Sequence, residues 1–358
     1  MREGKGLLMV SIRIGDRGIN DNEPCFIIAE IGNNHQGDIG TCKEMFKAAK
    51  EAGASAVKLQ KRDNLGLYTK TIYNKPYDNE NSYGETYGEH REFLEFGKEE
   101  YLSLKQYAKE LDIIFFATAF DITSADFLQE IDLPAFKIAS GDIRNIPLIE
   151  HIAGFNKPVI ISTGAATLDD VKRAYDSFIL INKQLCILQC TAMYPATYEE
   201  LDLNVIKTYK EIFPEAVIGL SSHDNGIAMD LVAYILGARV IEKHFTLNRA
   251  LKGTDHAFSL EPTGMKKMVR DINRARVALG DGNKKIFPSE VSAGTKMGKS
   301  LIAAKYLENG HIIEVKDIAI KSPGGGIPPY ELGKLIGKKI IIPMHEEDLF
   351  NFDFLEDC

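Results

Sequence analysis

His223 and His244 each close a short apolar run, Ile218-Gly219-Leu220-Ser221-Ser222-His223 and Val240-Ile241-Glu242-Lys243-His244. A helical stretch lies between them, from Ile227 to Leu236, and stops at Gly237. Strand, helix, strand in that order sets two strand ends side by side in a parallel sheet. Either histidine alone would be an ordinary packed or solvent-facing residue. Two neutral imidazoles on neighbouring strand ends are a donor set for one divalent metal. The carboxyl edge of a parallel sheet is also where α/β enzymes do their chemistry.

Other apolar runs end in reactive groups too. Glu30 follows Phe26-Ile27-Ile28-Ala29, and a carboxylate ending such a buried run needs a partner or a task. Lys58 and Gln60 alternate along one strand and so share a face. Lys137, Ser140 and Asp142 surround Gly141, Ser162 precedes Thr163-Gly164, and Thr191 follows Gln189-Cys190 with Tyr194 beyond. Ser221 sits two residues before His223, and Glu242 two before His244. Two lysines amid hydroxyls form a cradle for phosphate and carboxylate. Glu30, Asp142 and Asp255 supply carboxylates for acid–base work. Cys186 and Cys190 share a strand face without the C-x-x-C turn of a zinc pair, so burial is expected.

These groups need a scaffold that brings distant segments to one rim. Strand patterns begin near Phe26, Ala56, Ile113, Ala135, Pro158, Leu185, Ala216 and Arg239. Helical patterns fill the gaps, for example Gly40–Ala52, Glu99–Leu111, Ala125–Ile131 and Leu168–Leu180, with a last one over Thr263–Leu279. Eight strands, each followed by a helix, make a (β/α)8 TIM barrel of class α/β. A short hairpin is expected over residues 11–20. The stretch from Arg62 to Lys98 is long, polar and rich in tyrosine, which predicts an ordered lid over the active face. The composition then gives a barrel domain over 1–280, a linker over 281–294 and a small domain over 295–358. About 60 residues make a meagre core, so that unit is expected to lean on the barrel or on a partner subunit.

The net charge of −8 argues against a nucleic-acid surface or a polybasic membrane anchor. No apolar run approaches the roughly 20 residues of a membrane helix. The apolar core Leu7-Leu8-Met9-Val10 is too short for a secretion signal. Five scattered cysteines form no disulfide framework, which points to a reducing cytoplasm.

Several segments together resemble the sialic acid synthase family, the phosphoenolpyruvate-condensing nonulosonate synthases. They are Ile28-Ala29-Glu30-Ile31-Gly32-Asn33-Asn34-His35, Val57-Lys58-Leu59-Gln60, Lys137-Ile138-Ala139-Ser140-Gly141-Asp142 and Gln189-Cys190-Thr191-Ala192-Met193-Tyr194-Pro195. Gly219-Leu220-Ser221-Ser222-His223, Glu242-Lys243-His244-Phe245-Thr246 and Gly253-Thr254-Asp255-His256 continue the match. The tail resembles the small antifreeze-like SAF domain, a β-clip, that such synthases carry.

The resemblance implies a domain-swapped homodimer in which each small domain caps the partner's barrel. It implies that phosphoenolpyruvate and an N-acetylmannosamine-type aldose give a nine-carbon 2-keto acid and phosphate. His223 and His244 would bind Mn2+, with Mg2+ or Co2+ as substitutes. Lys58, Lys137, Ser140, Ser162 and Ser221 would hold phosphoenolpyruvate, with Gln60 and Thr191 beside them. Glu30, Asp142 and Asp255 would handle hydroxyls, water and protons, and Tyr194 would line the sugar pocket. Tyr87-Gly88-Glu89-His90 and Ser259-Leu260-Glu261-Pro262 look like the animal-type branch, whose acceptor is 6-phosphorylated; free and 6-phosphorylated acceptors both stay open. Two positions depart from the family pattern: Ala192 where many members have Asn, and Ser322 where many have Arg. A legionaminic, pseudaminic or deaminated product, another metal-dependent barrel aldolase or hydrolase, and a non-catalytic carbohydrate- or ice-binding protein are the alternatives.

Overall fold

Short β-branched runs and amphipathic segments alternate along the chain, and the computed structural model, which describes residues 10–358, folds them as such. The chain divides after Leu279 into two units. In the first, β1 (Ile12–Ile14) and β2 (Arg17–Ile19) form an antiparallel hairpin. Eight parallel strands follow: β3 (Phe26–Gly32), β4 (Ala56–Lys61), β5 (Ile114–Ala119), β6 (Phe136–Ile138), β7 (Val159–Ser162), β8 (Leu185–Cys190), β9 (Val217–Ser222) and β10 (Val240–His244). They close in sequence order, with β10 pairing β3, so the unit is a TIM barrel.

The helix ends carry the signals that the sequence displays. Asp38 caps Ile39–Ala52 by accepting from the Thr41 N–H, and Gly53 ends it at φ 91°. Thr167 and Asp170 form a capping box on Leu168–Ile179. The last barrel helix is Pro262–Ala278, with proline in its first turn.

Side-chain alternation divides the barrel. Ile27, Ala29, Val57, Leu59, Ile218, Leu220 and Ile241 face the helices. Ile28, Phe26, Ala56, Phe116, Ile160, Leu188, Val217 and Val240 face inward. Ile12, Ile14 and Ile19 of the hairpin join that inner cluster and close the amino end of the barrel. Each such side chain contributes about 1.5–3 kcal/mol through burial. Gly219 keeps the interior from overfilling, because a Cβ there would stand 2.4 Å from the Val240 carbonyl oxygen and 2.5 Å from Leu188 Cδ2. Farther along each strand, the next inward positions are the polar ones: Glu30, Lys58, Gln60, Lys137, Ser162, Ser221, Glu242 and His244.

The long stretch between β4 and the helix Lys98–Glu110 is ordered, as expected of a lid. It contains three short helices, Asn64–Leu67, Lys70–Tyr73 and Tyr87–Phe93. The Tyr87 ring meets Tyr68 and Tyr77 edge-on at 5.2 and 5.4 Å. Tyr83 donates to the Lys252 carbonyl at 2.8 Å, and Asn81 accepts from the Gly253 N–H at 2.9 Å, which ties the lid to the loop after β10.

The second unit, Gly280–Cys358, has its own core of Leu301, Leu307, Ile313, Leu335, Ile340, Met344 and Phe350. Strands Ser300–Ala303 and Ile318–Lys321 pair antiparallel. Buried Asp317 is held by Lys305 at 2.9 Å, His311 at 2.7 Å and the Glu314 N–H at 2.9 Å. A 3-10 turn (Pro288–Glu290) and the start of the helix Val291–Met297 lie within the stretch read as a linker.

Candidate active site

The inward polar positions converge on one cavity of about 360 Å³. Glu30, Lys58, Gln60, Lys137, Ser140, Ser162, Tyr194, Ser221, His223, His244 and Asp255 all line it. Strand register explains this. Glu30 lies beside Lys58 and His244, Gln60 beside Thr118, Thr118 beside Lys137, and Cys190 beside Ser221. Bulk apolar residues fill the barrel beneath, so these groups have only each other and the cavity.

The floor is a chain of buried charges of alternating sign. Lys58 Nζ stands 2.5 Å from Glu30 Oε2 and 4.0 Å from Glu242 Oε2, and donates to Thr118 Oγ1 at 2.7 Å. Lys137 Nζ is 3.4 Å from Glu242 Oε1, which also accepts from Ser221 Oγ at 3.2 Å. Gln60 Nε2 donates to Glu30 Oε1 at 2.7 Å. Burial raises the Glu30 pKa above the ordinary carboxylate value, and Lys58 and Gln60 only partly restore it. Burial also disfavours ionised Glu242, but Lys137 and Lys58 outweigh it and hold that carboxyl low. Lys137 is lowered by burial, against the pull of Glu242. Two lysines thus stand ready for an incoming anion, each beside a carboxylate until it arrives.

The two imidazoles lie against this floor with ring centroids 5.3 Å apart. Phe258 packs on His244 at 5.0 Å and Tyr194 on His223 at 4.2 Å. His223 Nδ1 donates to the Thr191 carbonyl at 2.9 Å, which leaves Nε2 as the ring nitrogen available to a ligand. His244 Nδ1 is buried without a hydrogen-bond partner, 3.8 Å from Asp255 Oδ2, and burial lowers that ring's pKa and keeps it neutral. The His244 ring is therefore in the form that ligates metals, and His223 turns its Nε2 away from its own hydrogen bond. Among the described residues, no third His, Cys, Asp or Glu joins them in a metal-holding group, so oxygens of water or substrate would complete any coordination.

Lys243 and Ser222 point the other way, into the helix layer. Lys243 Nζ stands 2.8 Å from Asp224 Oδ1 and 3.6 Å from Asp230 Oδ2, all fully buried, and Ser222 Oγ donates to Asp224. One cation faces two carboxyls, and burial together with Asp224 pushes Asp230 up to about 6 against the opposing Lys243. A raised carboxyl ionises more readily in the unfolded chain. Its contribution is therefore intact below pH ~4, is lost as pH rises toward about 6, and amounts to roughly 2–3 kcal/mol. Asp230→Asn is expected to remove that slope and to gain on the natural protein across this window. Thermal unfolding from pH 4 to 7 checks it; parallel curves would show that Asp230 titrates ordinarily.

Two predicted site residues lie off the lining. Asp142 ends the 3-10 turn Ser140–Asp142, and its carboxylate accepts from Asn145 Nδ2 at 3.1 Å. The turn presents Ser140 and Gly141 to the cavity instead. Thr191 donates its hydroxyl to the Glu200 carbonyl at 2.8 Å and faces a neighbouring cavity of about 500 Å³. Its backbone carbonyl is what serves the site, by orienting His223. That neighbouring cavity is larger, but no lysine, arginine or histidine lines it, so it makes no anion cradle.

Of the two departures, Ala192 lines the site as a bare methyl, close against Gly164, where a Cβ would stand 2.8 Å away. Ser322, in the second unit, accepts from Lys299 Nζ at 2.6 Å. Reading by residue type noted Glu242 at its strand end without giving it a role, and missed Thr118, Arg62, Arg91 and Phe258 as site members. Strict alternation marks Glu242 and Thr118. Arg62 continues the period of Lys58 and Gln60 one residue past β4, whereas no local period marks Arg91 or Phe258, which lie outside the strands.

The NeuB family model matches residues 45–284, and the SAF domain model matches 298–356. The chain belongs to the NeuB family. The N-acetylneuraminate-9-phosphate synthase of Homo sapiens is 39% identical over 333 residues, covering 93% of each chain. The N,N'-diacetyllegionaminic acid synthase of Legionella pneumophila is 36% identical, covering 91% of this chain and 94% of that one. The crystal structure of N-acetylneuraminic acid synthetase from Leptospira borgpetersenii superposes with a TM-score of 0.70 at 35% identity, over 80% of this chain and 95% of that one. As a NeuB-family protein with an SAF domain, the chain is a synthase of nonulosonate type. A purely carbohydrate-binding role has no use for such a buried charge chain.

Proposed function

We propose that the chain condenses phosphoenolpyruvate with the open-chain form of an N-acetylmannosamine-type aldose. The products are a nine-carbon 2-keto sugar acid and inorganic phosphate, with one water consumed. The observation that carries this reading is the alternation Glu30–Lys58–Glu242–Lys137 beside two imidazoles in one cavity. Lys58 and Lys137, with Ser140, Ser162 and Ser221, hold the phosphate and carboxylate of phosphoenolpyruvate. The methylene carbon of the bound enol attacks the aldehyde carbon, and positive charge grows on the carbon bearing the phosphate ester. Glu30 faces that carbon, offsets the charge and guides water onto it; the resulting adduct then expels phosphate. Asp255 lies at the rim, where it takes up sugar hydroxyls.

His223 and His244 would hold a divalent ion, Mn2+ first and Mg2+ or Co2+ as substitutes. Bound there, it supplies Lewis-acid polarisation of the aldehyde oxygen. The reading includes a domain-swapped homodimer and a cytoplasmic setting. The test is a panel of N-acetylmannosamine, its 6-phosphate, mannose 6-phosphate and a 2,4-diacetamido sugar, each with phosphoenolpyruvate and metal, read by product mass. Phosphate release must require both substrates; release with phosphoenolpyruvate alone, or cleavage of a sugar alone, would replace this reading with a hydrolase or an aldolase.

A further inference from the structure

The two histidines are held in place by unequal means. His244 is the last residue of β10 and pairs with Glu30 of β3, so the barrel's own ladder fixes it. His223 lies one residue past β9, beyond Ser222 and Lys243, where the β9–β10 register ends. Its carbonyl accepts from the Ala196 N–H at 3.1 Å, and its Nδ1 donates to the Thr191 carbonyl. Both of those partners belong to the loop after β8, so neither relates His223 to His244. The tie to β10 lies behind the rings. Lys243, the residue before His244, donates its ammonium to Ser222 Oγ at 3.1 Å, to the Asp224 carbonyl at 2.8 Å and to Asp224 Oδ1 at 2.8 Å. Ser222 and Asp224 are the two chain neighbours of His223. One side chain of β10 thus grips the chain on both sides of one imidazole, while its own neighbour carries the other.

The position is an unusual one for charge. Lys243 and Asp224 are 1% and 0% exposed. The other helix-facing side chains nearby are Ile218, Leu220, Ile241 and Phe245, so apolar packing gives way only at the level of the histidines. An apolar side chain would serve packing as well, since a buried ion pair adds little net stability over one. What the ammonium adds is direction: three hydrogen bonds that fix two strand ends against each other. We propose that Lys243 is a positioning residue which, by holding Ser222 and Asp224, sets the separation of the two imidazoles and so their affinity for a shared divalent ion. This rests on the metal reading proposed above and adds the group that holds the pair in register. Neither Lys243 nor Asp224 lines the cavity, so both act through the histidines.

The test titrates the metal-free protein with Mn2+ alone and follows the free ion by electron paramagnetic resonance. Phosphoenolpyruvate affinity is measured separately, without metal. Lys243→Met removes all three bonds at similar side-chain length. Its Mn2+ affinity is expected to fall at least about 10-fold, with phosphoenolpyruvate affinity unchanged because Lys58 and Lys137 face the cavity. Ser222→Ala leaves two of the three bonds and is expected to lose less. Asp230→Asn changes a carboxyl 3.6 Å from Lys243 that belongs to the helix Ala228–Leu236, and it is expected to keep the natural Mn2+ affinity. Natural Mn2+ affinity in a folded Lys243→Met overturns the proposal. So does an equal loss of phosphoenolpyruvate affinity, or an equal loss of Mn2+ in Asp230→Asn, since either would mean a general loosening. If Lys243→Met does not fold, its combination with Asp224→Asn and Asp230→Asn, which leaves no uncompensated charge, takes its place. If that also fails, Ser222→Ala decides, and natural Mn2+ affinity in it overturns the proposal. A natural protein that takes up no Mn2+ sinks the metal reading and this proposal together, whereas equal uptake by the natural protein and Lys243→Met sinks this proposal alone.

Discussion

Replacing His223 by alanine is expected to lower metal-dependent turnover by at least about 10³-fold and to abolish tight binding of the divalent ion. The size follows from the donor count. Only His223 and His244 stand together as protein donors among the described residues, so one substitution removes half of the protein's share. A single imidazole does not hold a divalent ion against water. The fold has little reason to fail with it. The substitution removes the hydrogen bond to the Thr191 carbonyl, a net loss of about 1 kcal/mol, and the packing of Tyr194 on the ring. That is small beside the stability of an ordinary domain, so circular dichroism and thermal unfolding are expected to stay close to those of the natural protein. Metal content after gel filtration and phosphate release with both substrates are the measurements. Full turnover in a folded variant would strike His223 from the ligand set. His223→Asn separates ligation from packing, since it keeps a polar group near the Thr191 carbonyl and gives up the imidazole.

Much of this site was legible because a barrel strand has only two faces. Once Ala56 and Phe26 are known to point inward, period two sends Lys58, Gln60 and Glu30 to the cavity and Lys243 to the helices. The same rule reaches Glu242, which reading by residue type left without a role. The barrel's strand order was legible too, from the alternation of eight β-branched runs with capped helices. Loops follow no such rule. Asp142 looked like a strand-end acid, yet a 3-10 turn spends its carboxylate on Asn145. Thr191 looked like a hydroxyl ligand, yet its carbonyl is what fixes His223. Arg91 reaches the rim only because the lid folds into short helices braced by tyrosines, which is a tertiary outcome that no local pattern encodes.

Glu30→Gln is expected to keep phosphoenolpyruvate binding and to lose about 10³-fold in turnover. The side chain keeps its shape, and Gln60 can turn its amide to suit. The charge balance changes more. Lys58 loses the carboxylate 2.5 Å away and keeps only Glu242, 4.0 Å away and shared with Lys137. Two ammonium groups then face one carboxylate, so a trianionic ligand is expected to bind at least as tightly as before. Turnover behaves in the opposite sense, since the cation that develops on the enol carbon no longer meets a negative charge, and no base steers the water. The pH profile adds an independent check. Burial raises the Glu30 pKa, so activity of the natural protein is expected to fall as pH drops through a value above the ordinary carboxylate range, and this acid limb is expected to vanish in the residual activity of the variant. Equilibrium binding of phosphoenolpyruvate, single-turnover rates and the pH profile together decide the matter. Near-normal turnover, or binding lost in step with turnover, would reduce Glu30 to a counter-ion of Lys58.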